Sequence, residues 1–232
     1  MSSCANCTSA CARVPEEALA RGSGAASVIV VHGLWMTGIE ATLLRLRLGE
    51  SGFDVHQFHY RSMTAVLDEV VADLAAEVAA QAPPVHLVGH SLGGLLILRL
   101  AEQRPDLAVG RVVLLGSPVN GSRAARAFAD LPGASLVFGN LAGGELVQAQ
   151  ARRWTHRAEV GVIAGDHGLG LGRLLAAMPA PNDGTVAVEE TRLEGATAQL
   201  VLPVSHTGLL VSTEVARQVV AFLATGRFAA AA

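Results

Sequence analysis

Residues 85–94, V-H-L-V-G-H-S-L-G-G, carry the clearest indication of the fold in this chain. It joins an apolar run that predicts a buried strand over 85–89 to an apolar run that predicts a helix over 92–104. Ser91 stands between them, inside a G-x-S-x-G pattern. A serine in that position occupies a tight, strained turn, and the flanking glycines are needed because a Cβ there would collide with the opposing backbone. The pattern therefore predicts that Ser91 is a nucleophile at the positive end of a helix.

The rest of the chain alternates between predicted strands and helices. Continuous apolar strands that alternate with helices are typical of a parallel sheet that is covered on both faces. We therefore expect an α/β fold with a mostly parallel central sheet of about six strands. Functional side chains in such sheets lie at the carboxyl ends of the strands. The predicted strands are 27–31, 53–60, 85–89, 111–116, 157–164 and 197–202, and the predicted helices are 40–50, 63–81, 92–104 and 213–225.

Composition limits the classes of protein that need to be considered. The 232 residues are 51% hydrophobic and 16% charged, which suits one sizeable core, and we expect a single domain over 25–232. The net charge of -3 gives no basic excess, so nucleic acid is not an expected partner. The sequence contains no run of about 18 uncharged apolar residues, so it predicts no integral membrane segment. The stretch 120–156 interrupts the alternation of strands and helices. It could form either a small cap over the site or a crossover helix with an additional loop excursion.

The first residues, 1–24, are predicted to form a disordered tail. All three cysteines, Cys4, Cys7 and Cys11, lie there with C-x2-C-x3-C spacing. That spacing would suit three metal ligands, but no fourth cysteine follows and the neighbours are small and polar, so we predict no metal site. An odd number of cysteines argues against a disulfide framework. The segment has neither the basic region nor the apolar region of a secretory signal, and a cytoplasmic location is the expectation.

A second group of candidate residues follows the first predicted strand, in the sequence His32-Gly33-Leu34-Trp35. Two backbone N–H donors aimed at one point form an oxyanion hole, which stabilises the charge that develops on a carbonyl oxygen. We expect one donor to be the N–H of Leu92, directly after the nucleophile, and the other to be the N–H of Leu34. Gly33 leaves room for a substrate, and His32 is expected to orient this loop through hydrogen bonds.

A nucleophilic serine needs a histidine as its base, and a carboxylate holds that imidazole in the right tautomer. Of the eight histidines, His206 is the candidate, because it lies on the loop between the last predicted strand and the last helix, where an imidazole can reach Ser91. Two aspartates are candidates for the acid. Asp166 directly follows the fifth predicted strand, and Asp183 lies in the later loop N-D-G-T-V. Strand position by itself favours Asp166.

The order of these residues resembles that of the α/β-hydrolase fold, and within it the minimal bacterial lipases and esterases. The similar segments are V-V-H-G-L, V-G-H-S-L-G-G-L, L-L-G-S-P-V-N-G-S, N-D-G-T-V and S-H-T-G-L, which together span nearly all of 27–225. In such lipases the acid lies in a D-G-x-V turn, so the resemblance implies Asp183 as the acid, with Leu34 and Leu92 as oxyanion donors. The chain departs from the secreted members in lacking their signal sequence, their disulfide cysteines and an acidic cluster that would bind calcium.

The residues and the resemblance together predict a hydrolase of carboxylic esters that needs no metal or organic cofactor. Ser91, His206 and Asp183 would form its catalytic triad, acting on a small-molecule or lipid ester through an acyl-enzyme. A thioesterase or acyltransferase with the same triad is the alternative enzyme, and a non-catalytic binding protein is the alternative from another class. The sequence does not set the oligomeric state. We expect an apolar substrate pocket lined by Trp35, Met36, Val119, Leu209 and Leu210.

Overall fold

The computed structural model describes residues 25–129, 144–146, 152–168 and 179–230. Within these ranges, strands and helices alternate along most of the chain. The strands are β1 (Ser27–Val31), β2 (Asp54–Phe58), β3 (Val85–His90), β4 (Val109–Leu115), β5 (Glu159–Gly165) and β6 (Ala198–Leu202). The helices are α1 (Thr42–Glu50), α2 (Leu67–Ala80), α3 (Leu92–Gln103), α4 (Arg123–Ala129), α5 (Gly208–Val211) and α6 (Thr213–Thr225). Short 3-10 turns cover Ile39–Ala41 and Val188–Thr191.

The strands form one six-stranded sheet in the order β2-β1-β3-β4-β5-β6. Every neighbouring pair in it is parallel, which confirms the predicted α/β fold with a parallel central sheet. The chain places β2 on one side of β1 and β3 on the other side. The order of strands therefore reverses between β1 and β3, and the carboxyl ends at such a switch point form the crevice in which α/β proteins bind ligands.

Side chains of the inner strands alternate between two apolar cores. In β1, Ile29 and Val31 pack into the core formed with α2 and α3, whereas Val28 and Val30 pack into the core formed with α1 and α6. All four are buried. A strand that is covered on both faces has no solvent side, which explains why β1 is apolar apart from Ser27 rather than alternating with polar residues.

Helix α2 begins at Leu67, four residues later than the sequence predicts. The residues before it form a turn, in which the N–H of Ala65 donates to the carbonyl of Arg61 at 3.0 Å. The hydroxyl of Ser62 in this turn accepts the N–H of Trp35 at 3.2 Å. The residues before Leu67 therefore form a separate turn, and Ser62 in it supports the loop after β1.

Strand β2 is shorter than the predicted 53–60. It lies at the edge of the sheet and pairs only with β1, whose residues Ser27–Val31 match Asp54–Phe58 one to one. The length of β1 therefore limits the length of its neighbour. Strand β4 begins at Val109 and β5 ends at Gly165, so these boundaries also differ by one or two residues from the predicted ones.

Some predictions fall outside the described residues. The tail 1–24 with Cys4, Cys7 and Cys11 is outside them, as are 130–143 and 147–151 of the stretch 120–156 for which a cap was considered. The described part of that stretch includes α4 and Trp154, whose indole N–H donates to the carbonyl of Ala158 at 2.7 Å. No helix within the described ranges is long and apolar enough to cross a membrane.

Candidate active site

Ser91 lies in the turn between β3 and α3 with a strained backbone, at φ 54° and ψ -120°. Residues other than glycine seldom adopt a positive φ, and such strain persists only where the surrounding structure fixes it. Here the N–H of Ser91 donates to the carbonyl of Leu115, at the end of β4, at 2.9 Å. The side chain is half-buried. The turn therefore presents the serine at the carboxyl end of the sheet, beside the first turn of α3.

The glycines on either side of Ser91 allow this turn to form. A Cβ at Gly89 would lie 2.6 Å from the Cα of Gly94, inside the first turn of α3. A Cβ at Gly93 would run into the carbonyl oxygen of Val31 and would lie 2.6 Å from that of His32. Helix α3 thus begins in direct contact with the end of β1, and a larger residue at either position would push the serine away from this edge.

His206 and Asp183 are joined by two hydrogen bonds. The imidazole Nδ1 of His206 lies 2.7 Å from Oδ2 of Asp183, and the backbone N–H of His206 donates to the Asp183 carbonyl at 2.9 Å. The other carboxylate oxygen, Oδ1, accepts the N–H groups of Thr185 and Val186 at 2.9 and 2.7 Å. Because a carboxylate only accepts, Nδ1 carries the proton in this pair and leaves Nε2 as an acceptor.

Asp183 is brought to His206, whereas Asp166 is not. Asp183 is 1% exposed, and its Cβ lies 2.9 Å from the position that a Cβ of Gly165 would occupy. Asp166 is exposed, and its backbone N–H donates to the carbonyl of Leu202 at 3.1 Å. Because Gly165 at the end of β5 has no side chain, there is room for Asp183, which reaches the sheet from a later loop.

Gly116 lies between this pair and the end of β4 that contacts the turn of Ser91. It follows β4 directly and has a φ of 54°. A Cβ there would lie 3.1 Å from Oδ2 of Asp183 and 3.2 Å from Nδ1 of His206. The preceding carbonyl, of Leu115, is the acceptor for the N–H of Ser91. The end of β4 therefore contacts the nucleophile candidate on one side and the His–Asp pair on the other.

The loop after β1 lies against the serine turn. A Cβ at Gly33 would be 3.1 Å from the Cβ of Ser91. In this loop the imidazole Nδ1 of His32 donates to the carbonyl of Gly33 at 2.9 Å. That carbonyl belongs to the same peptide plane as the N–H of Leu34, so the bond fixes the direction of this N–H. Among the described residues, no acceptor pairs with the N–H of Leu34 or of Leu92.

Tyr60, two residues beyond the end of β2, holds the same loop in place, and no sequence pattern predicted this role. Its ring stacks on the imidazole of His32 with centroids 4.3 Å apart and an interplanar angle of 11°. Its hydroxyl donates to the His32 carbonyl at 2.7 Å. Burial lowers the pKa of His32 and raises that of Tyr60, so both rings are neutral in this stack. The pairing of β1 with β2 brings these two residues together, and nothing local in the sequence indicates it.

The predicted pocket residues have different environments. Trp35 is 60% exposed, and its backbone has a positive φ of 59°. Met36 is half-buried and packs against the core on the α1 and α6 side. Leu209 is buried, and its Cδ1 lies 2.6 Å from the position of a Cβ at Gly116, close to the His–Asp pair. Val119 and Leu210 are buried in the two cores. Their part in a substrate pocket stays a prediction.

No group of three or more His, Cys, Asp or Glu side chains that could hold a metal ion occurs in the described part of the chain. At this edge of the sheet, His206 and Asp183 are engaged with each other. The arrangement suits proton transfer at a serine hydroxyl, with backbone N–H groups beside it.

Comparisons with known proteins identify relatives of this chain. The sequence matches the alpha/beta hydrolase family over residues 28–227. A search of curated protein sequences found no match. Among solved structures, the Bacillus licheniformis lipase BlEst2 in its propeptide form is similar with a TM-score of 0.72 at 20% identity, over 91% of this chain and 53% of that chain. This chain thus spans about half the length of that lipase.

Two further solved structures match over nearly their whole length. The monoacylglycerol lipase of Paleococcus ferrophilus has a TM-score of 0.56 at 18% identity, over 87% of this chain and 96% of that chain. The pyrethroid hydrolase PytH has a TM-score of 0.58 at 16% identity, over 87% of this chain and 98% of that chain. At such low identity these similarities establish the fold.

Proposed function

Because the chain belongs to the alpha/beta hydrolase family, we propose that it is a serine hydrolase that cleaves carboxylic ester bonds through an acyl-enzyme. The observation that carries the proposal is the hydrogen bond of 2.7 Å between His206 and Asp183, at the sheet edge where Ser91 occupies its strained turn. Such a turn, base and carboxylate are the parts that activate a serine for acyl transfer. The lipases and the pyrethroid hydrolase among the structural relatives are consistent with an ester substrate.

In the proposed first step, Nε2 of His206 removes the proton of the Ser91 hydroxyl as its oxygen attacks the ester carbonyl. Asp183 holds Nδ1–H and stabilises the imidazolium that forms. The imidazolium then returns the proton to the leaving alcohol, and the acyl group remains on Ser91. In the second step, His206 activates a water molecule in the same way, and its attack releases the carboxylic acid and restores the serine.

The tetrahedral intermediate carries a negative oxygen, which the N–H groups of Leu34 and Leu92 would stabilise. Leu92 is the first residue of α3, so its N–H has no partner within the helix and lies at the positive end of the helix dipole. The N–H of Leu34 is oriented through the His32–Gly33 hydrogen bond of 2.9 Å. Donors that are already fixed in position lower the barrier because they need no reorganisation when the charge develops.

A fluorophosphonate probe, which reacts with activated serines, tests the proposal. We expect it to label the wild-type chain and not the Ser91→Ala variant. Ser51→Ala is the matched control, because Ser51 is exposed at the end of α1 and its hydroxyl donates only to the carbonyl of Arg47. Hydrolysis of p-nitrophenyl esters from acetate to palmitate then gives the acyl preference. Labelling that persists in Ser91→Ala would show that another residue is the nucleophile.

A further inference from the structure

We propose that His90 is a positioning residue for the base His206, an inference that rests on the proposed hydrolase function. His90 directly precedes Ser91, and its imidazole Nε2 donates to the backbone carbonyl of His206 at 3.1 Å. The two rings are also in contact, with centroids 4.6 Å apart. One hydrogen bond therefore links the turn of the nucleophile to the loop of the base, although the bonded residues are 116 positions apart in sequence.

The bond completes the fixation of His206. Asp183 holds the base through its backbone N–H and through Nδ1, at 2.9 and 2.7 Å. Both of these contacts join His206 to a single residue, Asp183. His90 is the last residue of β3 and holds the carbonyl of His206 from there, whereas Asp183 lies in a loop. The base is thus fixed from two points, and Nε2 of His206 keeps its direction relative to Ser91.

The state of His90 follows from its surroundings. A carbonyl oxygen only accepts, so Nε2 of His90 carries a proton. Complete burial, together with the neighbouring His206 ring, keeps the pKa of His90 well below its ordinary value, so the ring is neutral and Nδ1 has no proton. Nδ1 has no partner among the described residues and lies 3.2 Å from where a Cβ of Gly33 would be.

An imidazole is a costly side chain at this position. His90 is fully buried, and a buried nitrogen without a partner is destabilising, whereas an apolar side chain of similar size would not carry that penalty. Packing does not account for the imidazole. Its Nε2–H, which supports the carbonyl of His206, does account for it.

Three substitutions separate the donor from the rest of the ring. In His90→Gln the amide nitrogen can reach the position of Nε2, so the donor to the His206 carbonyl is kept. His90→Asn ends near the position of Nδ1 and cannot reach that carbonyl, and His90→Leu has no donor. We expect kcat for p-nitrophenyl acetate to fall about tenfold to a hundredfold in the Asn and Leu variants, because small displacements of a catalytic group have effects of this size. KM should change little, and Gln should restore most of kcat.

The rate constant of fluorophosphonate labelling at Ser91 should follow the same order, since this reaction also needs the base. Thermal unfolding of each variant separates a loss of fold from a loss of positioning. The inference is overturned if the Gln and Asn variants have equal kcat, or if Leu keeps the wild-type value. If Ser91→Ala is still labelled, the proposed function fails as a whole. If Ser91→Ala is not labelled and all His90 variants react like the wild type, only the positioning role is wrong.

Discussion

The carboxylate of Asp183 is held so that only one of its oxygens faces His206. Oδ1 accepts two backbone N–H groups, from Thr185 and Val186, and Oδ2 lies 2.7 Å from Nδ1 of His206. The side chain therefore cannot rotate to offer the other oxygen without breaking both of these bonds. The turn N-D-G-T-V sets the direction of the acid, and the acid sets the tautomer of the base.

The first prediction concerns the choice between two aspartates. In Asp183→Asn, the amide oxygen should keep the contacts with Thr185 and Val186, which forces the amide NH2 toward His206. Nδ1 of His206 must then accept, the proton moves to Nε2, and the base cannot take the proton of Ser91. We expect kcat to fall by about 10⁴-fold, as is typical when a triad aspartate is changed to asparagine.

Asp166→Asn is the matched control for that experiment, because Asp166 is exposed and, among the described residues, its backbone N–H alone is bonded, to Leu202 of β6. Its kcat should stay close to that of the wild type. The reverse result, with activity lost in Asp166→Asn and retained in Asp183→Asn, would identify Asp166 as the acid. Ester hydrolysis and thermal unfolding of both variants provide the measurement.

A second prediction compares two glycines. Gly93→Ala should destabilise the protein by about 1–3 kcal/mol, the usual cost of overpacking, because its Cβ runs into the carbonyls of Val31 and His32. Gly49→Ala in α1 should stabilise it by about 0.5–1 kcal/mol, since a Cβ there meets nothing within 4 Å and alanine favours a helix. Urea unfolding of the two variants measures both changes. Equal effects would contradict the close contact between α3 and β1.

A third prediction concerns acid stability. Burial, with the nearby charge of Arg111, lowers the pKa of His86 from 6.5 to about 4. Above pH 6.5 this imidazole is neutral in both the folded and the unfolded chain. As the pH falls from about 6.5 to about 4, the unfolded chain takes up a proton that the folded chain does not, so the free energy of unfolding decreases. The full effect of this one group is about 3 kcal/mol.

His86→Asn tests that contribution. Nδ1 of His86 accepts the N–H of Arg111 at 2.8 Å, and the amide oxygen of asparagine can take this place without titrating. Urea unfolding at pH 7 and at pH 4.5 should therefore show a smaller loss of stability in the variant than in the wild type. The buried His32, His90 and His156, whose pKa values are lowered in the same direction, should leave some acid sensitivity. An unchanged pH dependence would exclude His86 as a contributor.

The fourth prediction concerns the contact of Tyr60 with the loop after β1. Tyr60→Phe keeps the stacking on His32 and removes only the hydrogen bond of 2.7 Å to the His32 carbonyl. Stability should fall by about 1 kcal/mol, the net value of a typical hydrogen bond. If Leu34 acts as an oxyanion donor, kcat should decrease while KM changes little, since such donors act in the transition state. A variant with lower stability but unchanged kcat would separate this contact from catalysis.

Local patterns predicted much of the fold correctly. The bounds of β1 and α6 agree with the predicted ones, because a continuous apolar run and an amphipathic run each carry their own signal. The start of α2 was predicted too early, since the residues before Leu67 form a separate turn in which Ser62 accepts the N–H of Trp35. The bounds of β2 were predicted too wide, because an edge strand ends where its partner ends. Both differences come from neighbours that are distant in sequence.

The parallel α/β architecture and the strained turn at Ser91 follow from local sequence, because glycines at fixed spacing and apolar flanks act on their immediate neighbours. The strand order, the hydrogen bond of His206 with Asp183 rather than with the strand-end Asp166, and the contacts of Tyr60 and His90 with the loops they hold come from tertiary contacts. These depend on which strand ends lie side by side. A hydrogen bond between residues over a hundred positions apart, such as that of His90 with His206, exists only once the sheet has formed.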